Sequence, residues 1–431
     1  MKRLFTIEDK LSNKISFYHL AFFLVMLPFD RFYSQLVLIS FTIHTLLQLR
    51  RENFRQIPFK TLIISQSVFL LTLVGIFYSN NTGQAGSMLS RQLAIFLFPF
   101  LFALSSLDLK KYLPQLLLFF SVSCAATILY LYVDAFRIIL YNKLPLSAIA
   151  SDFFINHNFS SPIDMHATYL SLYAGLCLLF LIGGWPAERF GKHEVLRGIA
   201  ALILLAGLVQ LASRTVFFTT LVCAFIVLPA LRFSGAQKKK LLISGGSILV
   251  LLTILINSLP GLRSRFLDDL RADLGQSKNY TRITEPRMQR WKLAAEIIQE
   301  KPVFGHGSGD EVDLLKEKYF ENKLYKSFLL NLNAHNQYLS MLIRFGAIGL
   351  IIFLMAIWYG TRLALREKDT MFLCFMLLMI MLAFSENFLD VNKGIFFYGF
   401  FFPLFLFMHQ RHPHNQKSAD STPKKKTTSI Y

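Results

Sequence analysis

Charge is scarce in this chain. Only 16% of the 431 residues are Asp, Glu, Lys or Arg, while 54% are hydrophobic and 44 are Phe. That balance excludes an ordinary soluble domain and indicates a multispanning membrane protein. Cysteine is scarce too: Cys124, Cys177, Cys223 and Cys374 all fall inside apolar runs, which speaks against a disulfide framework or a zinc site. No A-x-A-like cleavage site follows the first apolar run, so that run is expected to be a retained span and not a signal peptide. The glycine-rich stretch near Gly305 lacks a following Lys-Ser/Thr, which excludes a Walker loop. No clear metal-binding constellation is present, so neither a metal nor another cofactor is expected. The net charge of +19 is explained below by where the charges sit, and no nucleic-acid partner is expected.

What remains is a series of apolar runs of spanning length, from Ile15–Leu27 to Gly394–Met408. They predict an all-α, polytopic integral membrane protein with about 12 transmembrane helices and a helical periplasmic loop between helices 9 and 10. The expected division is 1–259 for helices 1–9, 260–336 for the loop, 337–409 for helices 10–12, and 410–431 for a disordered cytoplasmic tail. Placing the N-terminus in the cytoplasm gathers Lys2, Arg3, Arg50, Arg51, Lys110, Lys111, Lys238, Lys239, Lys240, Arg362 and Arg366 on the inside. The short outside segments then hold few basic residues, and both termini lie in the cytoplasm.

The long polar interruption, Thr284 to Leu350, holds a dense set of Arg, His, Asn and Gly. Pro286 suits a first helical turn, with Thr284 or Glu285 as cap. Arg287, Arg290, Trp291, Ala294, Ala295 and Ile298 then fall on one helical face. Arginines in a first turn add to the positive end of the helix dipole, an arrangement that a bound anion relieves. Pairing with Glu285, Asp268 or Asp269 is the plainer alternative. Gly305, Gly307 and Gly309 permit a tight non-helical turn close to something else, and a plain helix–helix turn is the simpler reading on composition. His335 and Asn336 stand where an apolar helix begins, and the histidine suits either a cap or a general base.

Several polar residues fall at the same ends of their spans. Arg214 sits in a very short hairpin, Arg91 and Gln92 open the fourth span, and Asp164 and His166 open the sixth. Arg344 lies about two turns into the tenth, Glu386 and Asn387 near the outer end of the eleventh, and Asp30 and Arg31 after the first. Snorkelling or ion pairing, such as Glu386 with Arg344, accounts for each one alone. Their shared sidedness points to an outward-facing polar site.

Together these residues resemble the signature of the O-antigen ligase and O-antigen polymerase family. The resemblance rests on Arg287 and Trp291, on Pro302, Gly305, Gly307 and Gly309, on His335, Asn336 and Leu339, and on Gly346 and Gly349. The Ser213-Arg214 pair resembles a second motif of that family, and His166 in HATYLSLY also looks family-like. The resemblance implies a bacterial inner-membrane enzyme. Its donor would be a glycan on undecaprenyl diphosphate, its acceptor a lipid A core sugar or other glycan, its surroundings membrane lipids. His335, Arg287 and Arg214 are then expected to be catalytic: the histidine as base, the arginines against the leaving diphosphate. Arg290, Asn336, Trp291, His166, Arg91 and Glu386 are expected to bind substrate, and Asp30 is a rival base. A polymerase or a protein O-oligosaccharyltransferase fits the same residues. A transporter or flippase would instead show internal repeats and midplane polar groups.

Overall fold

The computed structural model describes residues 5–29, 31–49, 57–184, 194–273 and 287–409. Every regular element among them is helical. In chain order we label α1 Leu11–Met26, α2 Arg31–Leu47, α3 Phe59–Ile76, α4 Thr82–Arg91, α5 Leu93–Leu104, α6 Leu109–Tyr141 and α7 His157–Ser160. There follow α8 Ala167–Leu179, α9 Glu194–Leu211, α10 Arg214–Val222, α11 Gly235–Ser258 and α12 Asp269–Asp273. The last are α13 Arg287–Glu300, α14 Glu311–Glu321, α15 Gln337–Arg366, α16 Thr370–Ala383 and α17 Asn392–Met408.

All twelve apolar runs are helical, yet only seven helices among the described residues are long and apolar enough to cross a membrane. An eighth is added if His157–Ile163 and Ala167–Gly183, bent by 87° at their junction, count as one span. The expectation of about twelve therefore reduces to a polytopic helical membrane protein with seven such helices. The cause is length: α16 has 14 residues, about 21 Å of helix against a hydrocarbon core of about 30 Å. By contrast α6 is 33 residues long and continues to Tyr141.

Phenylalanine fills the main core. Phe23 stacks on Phe400 at 5.3 Å, and Phe98 meets both. At Gly399 the α17 backbone comes close to Ala94 and Ile95 of α5, where a β-carbon would lie 3.2 Å from the Ile95 nitrogen. A second core joins the 260–336 segment to the bundle: Leu293 and Ile297 of α13, Leu315 and Tyr319 of α14, and Ile343 of α15 are all buried together. Each such Leu or Ile contributes roughly 1.5–3 kcal/mol by leaving water. The buried face of α13 is Arg290, Leu293, Ala294 and Ile297. It is rotated from the predicted stripe, and Ala295 is exposed.

The two glycine motifs are halves of one joint. Gly346, at φ +62°, breaks α15 and frees the carbonyls of Ile343 and Arg344. The backbone N–H groups of His306 and Gly307 donate to them at 2.8 and 2.9 Å. In return Ala347 and Ile348 donate to the carbonyls of Pro302 and Val303. Gly307, at φ +116°, passes so near the α3–α4 turn that a β-carbon would lie 2.5 Å from Ser79 Cα. Asp310 fixes the other side of that turn, accepting from Ser79 Oγ and from the backbone of Asn80 and Asn81.

Candidate active site

Arg214 is the first residue of α10, after Ser213 and a left-handed Ala212. Arg287 stands at the described start of α13. Their guanidinium groups converge on one carboxylate. Arg214 Nη2 is hydrogen-bonded to Asp273 Oδ2, and Arg287 Nε lies 3.8 Å from Asp273 Oδ1. Arg265 acts electrostatically on the same group of charges. Arg214 Nη1 and Arg265 Nε are buried and have no hydrogen-bond partner among the described residues. Unmatched buried guanidinium donors are costly, and a phosphate oxygen would satisfy them. The helix starts add N–H groups and positive dipole ends to the same place.

Arg287 also reaches the second half of the site. Its Nη1 donates to the carbonyl of Ser385 at 3.2 Å. The next residue, Glu386, faces His335 Nδ1 at 3.4 Å. Burial pushes the Glu386 carboxyl up, but the hydrogen bond and charge of His335, with His166 and Arg287, overcome this and hold it down to about 2. The carboxylate is thus ionised at neutral pH. It favours the histidine tautomer with its proton on Nδ1, leaving the Nε2 lone pair to accept a proton.

The backbone around His335 is tightly held. His335 has φ +47°, unusual for a residue with a β-carbon. Its own N–H donates to Asn333 Oδ1 at 3.0 Å. Trp291 Nε1 donates to the carbonyl of Ala334 at 3.0 Å, so the tryptophan holds the loop. The Asn336 side chain caps α15 by accepting from Tyr338 and Leu339, and its backbone N–H donates to Asn387 Oδ1 at 2.7 Å. Asn336 and Trp291 therefore hold the loop that carries the histidine.

His166 caps α8, where its Nδ1 accepts from Thr168 N–H at 3.3 Å. Burial keeps its pKa below the ordinary value, with Glu386 pulling the other way. His157, its ring 4.2 Å away, was not singled out from sequence. Arg290 is buried on the inner face of α13 with Leu293 and Ala294. Arg91 ends α4, and among the described residues no hydrogen bond or ion pair joins it to the site. Its neighbour Gln92 makes the closer link, donating to the Leu389 carbonyl at 3.2 Å. Asp30, Pro286, Thr284 and Glu285 lie outside the described residues. Arg344 does not pair with Glu386. It binds Asp390 through both oxygens at 2.7 Å and Glu311 at 2.6 Å. His306 is buried, its Nε2 3.1 Å from the carbonyl of Ile297. Asp273, Arg265 and Glu311 are the residues that sequence reasoning missed, since each depends on a contact between distant segments.

Fold and site define a helical membrane protein in which two arginines gather on Asp273 beside a histidine–carboxylate pair. Residues 199–354 match the family model described as O-Antigen ligase, which places that segment in the O-antigen ligase family. The match takes in Arg214, Arg265, Arg287, His335 and Arg344. The family is one of ligase- or polymerase-like membrane enzymes. The chain is also 29% identical over 176 residues to an uncharacterized protein of Haemophilus influenzae, across 37% of this chain and 44% of that protein. The match thus spans less than half the length of that relative.

Proposed function

We propose that the protein is a membrane glycosyltransferase of the O-antigen ligase type, moving a glycan from undecaprenyl diphosphate to an acceptor hydroxyl, a lipid A core sugar above all. The observation that carries this is the meeting of Arg214 and Arg287 on Asp273 beside the His335–Glu386 pair. In the reaction the acceptor oxygen attacks the anomeric carbon and the bond to the diphosphate oxygen breaks, inverting the carbon. The acceptor proton passes to His335 Nε2. Charge grows on the departing diphosphate, and Arg214, Arg287 and Arg265 stabilise it in place of Asp273. Transfer then needs no metal.

The charge pattern supports an orientation with both termini in the cytoplasm of a bacterium and the site on the periplasmic face of the inner membrane. On this reading all twelve apolar runs cross or enter the bilayer, the short ones by tilt or local thinning, and residues 260–336 form the outer unit. The test is a transfer assay in liposomes with a lipid-diphosphate glycan, a rough lipid A core acceptor and a chelator. A single-step gain in acceptor size is expected. A ladder of repeats on the carrier would mean a polymerase, and no transfer without added metal would overturn the mechanism.

A further inference from the structure

We infer that Arg344, which among the described residues makes no hydrogen bond to His335, is the positioning residue that sets His335 against Glu386. The inference rests on the glycosyltransferase reading above for its kinetic consequence and on geometry for the rest. Arg344 lies buried in α15 and grips two carboxylates: Glu311 on α14 at 2.6 Å, and Asp390 in the α16–α17 loop at 2.7 Å through both of its oxygens.

Each carboxylate passes that hold to one side of the dyad. Glu311 accepts from the backbone N–H of Ala334, the residue before His335, and from Ser340 Oγ of the helix after it. Asp390 accepts from Asn387 Nδ2 at 3.2 Å, and Asn387 Nδ2 is also 3.3 Å from Glu311 Oε1. Asn387 Oδ1 then takes the N–H of Asn336, the residue after His335. Asn387 is itself next to Glu386. Both neighbours of His335 and the neighbour of Glu386 are therefore tied to one guanidinium. A planar fork holds two carboxylates at fixed separation, which an ammonium group cannot do. The left-handed backbone of His335 persists because these bonds over-determine it.

The test uses Asp390→Asn and Arg344→Lys in the liposome assay, alone and with Glu386→Gln. Arg344→Lys keeps a buried cation between the carboxylates, so it leaves no orphan charge should Asp390→Asn fail to fold. We expect either variant to lower kcat by about tenfold with little change in donor KM, as loss of a support held at a distance does. In the Glu386→Gln background the same substitution removes much less, because the pair it serves is already broken. An equal loss in both backgrounds, or no loss, overturns the inference. A second readout needs no activity: the rate at which diethyl pyrocarbonate modifies His335, followed by peptide mass spectrometry. That rate is expected to change in Asp390→Asn in the same direction as in Glu386→Gln. An unchanged rate contradicts the inference, whereas an inactive wild type with the expected rates contradicts only the glycosyltransferase reading.

Discussion

Arg214 and Arg287 share a single carboxylate, Asp273, although they begin two different helices. Among the described residues, two cations around one carboxylate, with the buried Nη1 of Arg214 unmatched, leave a site that is short of negative charge. A diphosphate brings more charge and more acceptor atoms than an aspartate, and planar guanidinium forks match its oxygens. Replacing Arg214 or Arg287 by Lys keeps the charge and loses the fork. Each variant is expected to lose about 100-fold or more in kcat, the size of effect seen when one preorganised donor is removed from a developing anion. Full rates for Arg214→Lys would remove it from the diphosphate site.

Asp273 competes with the substrate on this account. Asp273→Asn is expected to fold, to keep kcat, and to bind the lipid-diphosphate donor at least as tightly as the wild type. A raised donor KM would show that the aspartate orders the arginines for the substrate and does not stand in for it.

The His335–Glu386 pair gives a different kinetic pattern. His335→Gln keeps a hydrogen-bonding group without a base, and kcat is expected to fall about 100-fold or more at nearly constant donor KM. Glu386→Gln leaves the imidazole and weakens its orientation, so a smaller loss follows. Equal rates for wild type and His335→Gln would remove the proton-transfer role.

Acid tests Glu386 separately. Its carboxyl is held down to about 2 in the folded protein, below an ordinary value of 4.5. Its ionised form therefore adds stability that is complete above about 4.5 and is lost as pH falls from there toward about 2. Melting temperature in detergent is expected to drop across this window, with a shallower drop in Glu386→Gln. Identical slopes would mean that other carboxylates carry the effect.

The glycine joint predicts a stability change without chemistry. Gly307→Ala puts a β-carbon 2.5 Å from Ser79 Cα at a φ of +116°. The backbone strain alone costs roughly 1–3 kcal/mol, and a marked fall in melting temperature is expected. Gly86, where a β-carbon meets nothing within 4 Å, is the control. Gly86→Ala is expected to be neutral or stabilising. Equal melting temperatures for both would refute the close packing of the loop.

The sequence made the helices legible because apolar length and turn chemistry act locally. Arg214 and Glu386 stand out in the sequence because polar groups at one end of apolar spans need a reason to be there, and Arg287 and His335 because they lie in the one long polar interruption. The partners were not legible. Shared sidedness suggests pairing of Arg344 with Glu386, but its actual partners, Glu311 and Asp390, lie in two other segments. The face of α13 was misread because a six-residue stripe fits two rotations, and only packing against α14 and α15 chooses Leu293 and Ile297. From composition the Gly305–Gly309 loop reads as a tight turn between helices. Its glycines are needed because a helix break at Gly346 and the turn at Ser79 approach its backbone.

The most direct measurement is equilibrium binding of undecaprenyl diphosphate to the purified protein in the presence of a chelator, for wild type, Arg214→Lys, Arg287→Lys and His335→Gln. The account predicts clear weakening in both arginine variants and wild-type affinity in His335→Gln. Undiminished binding in the arginine variants would contradict it, because the diphosphate would then be held elsewhere.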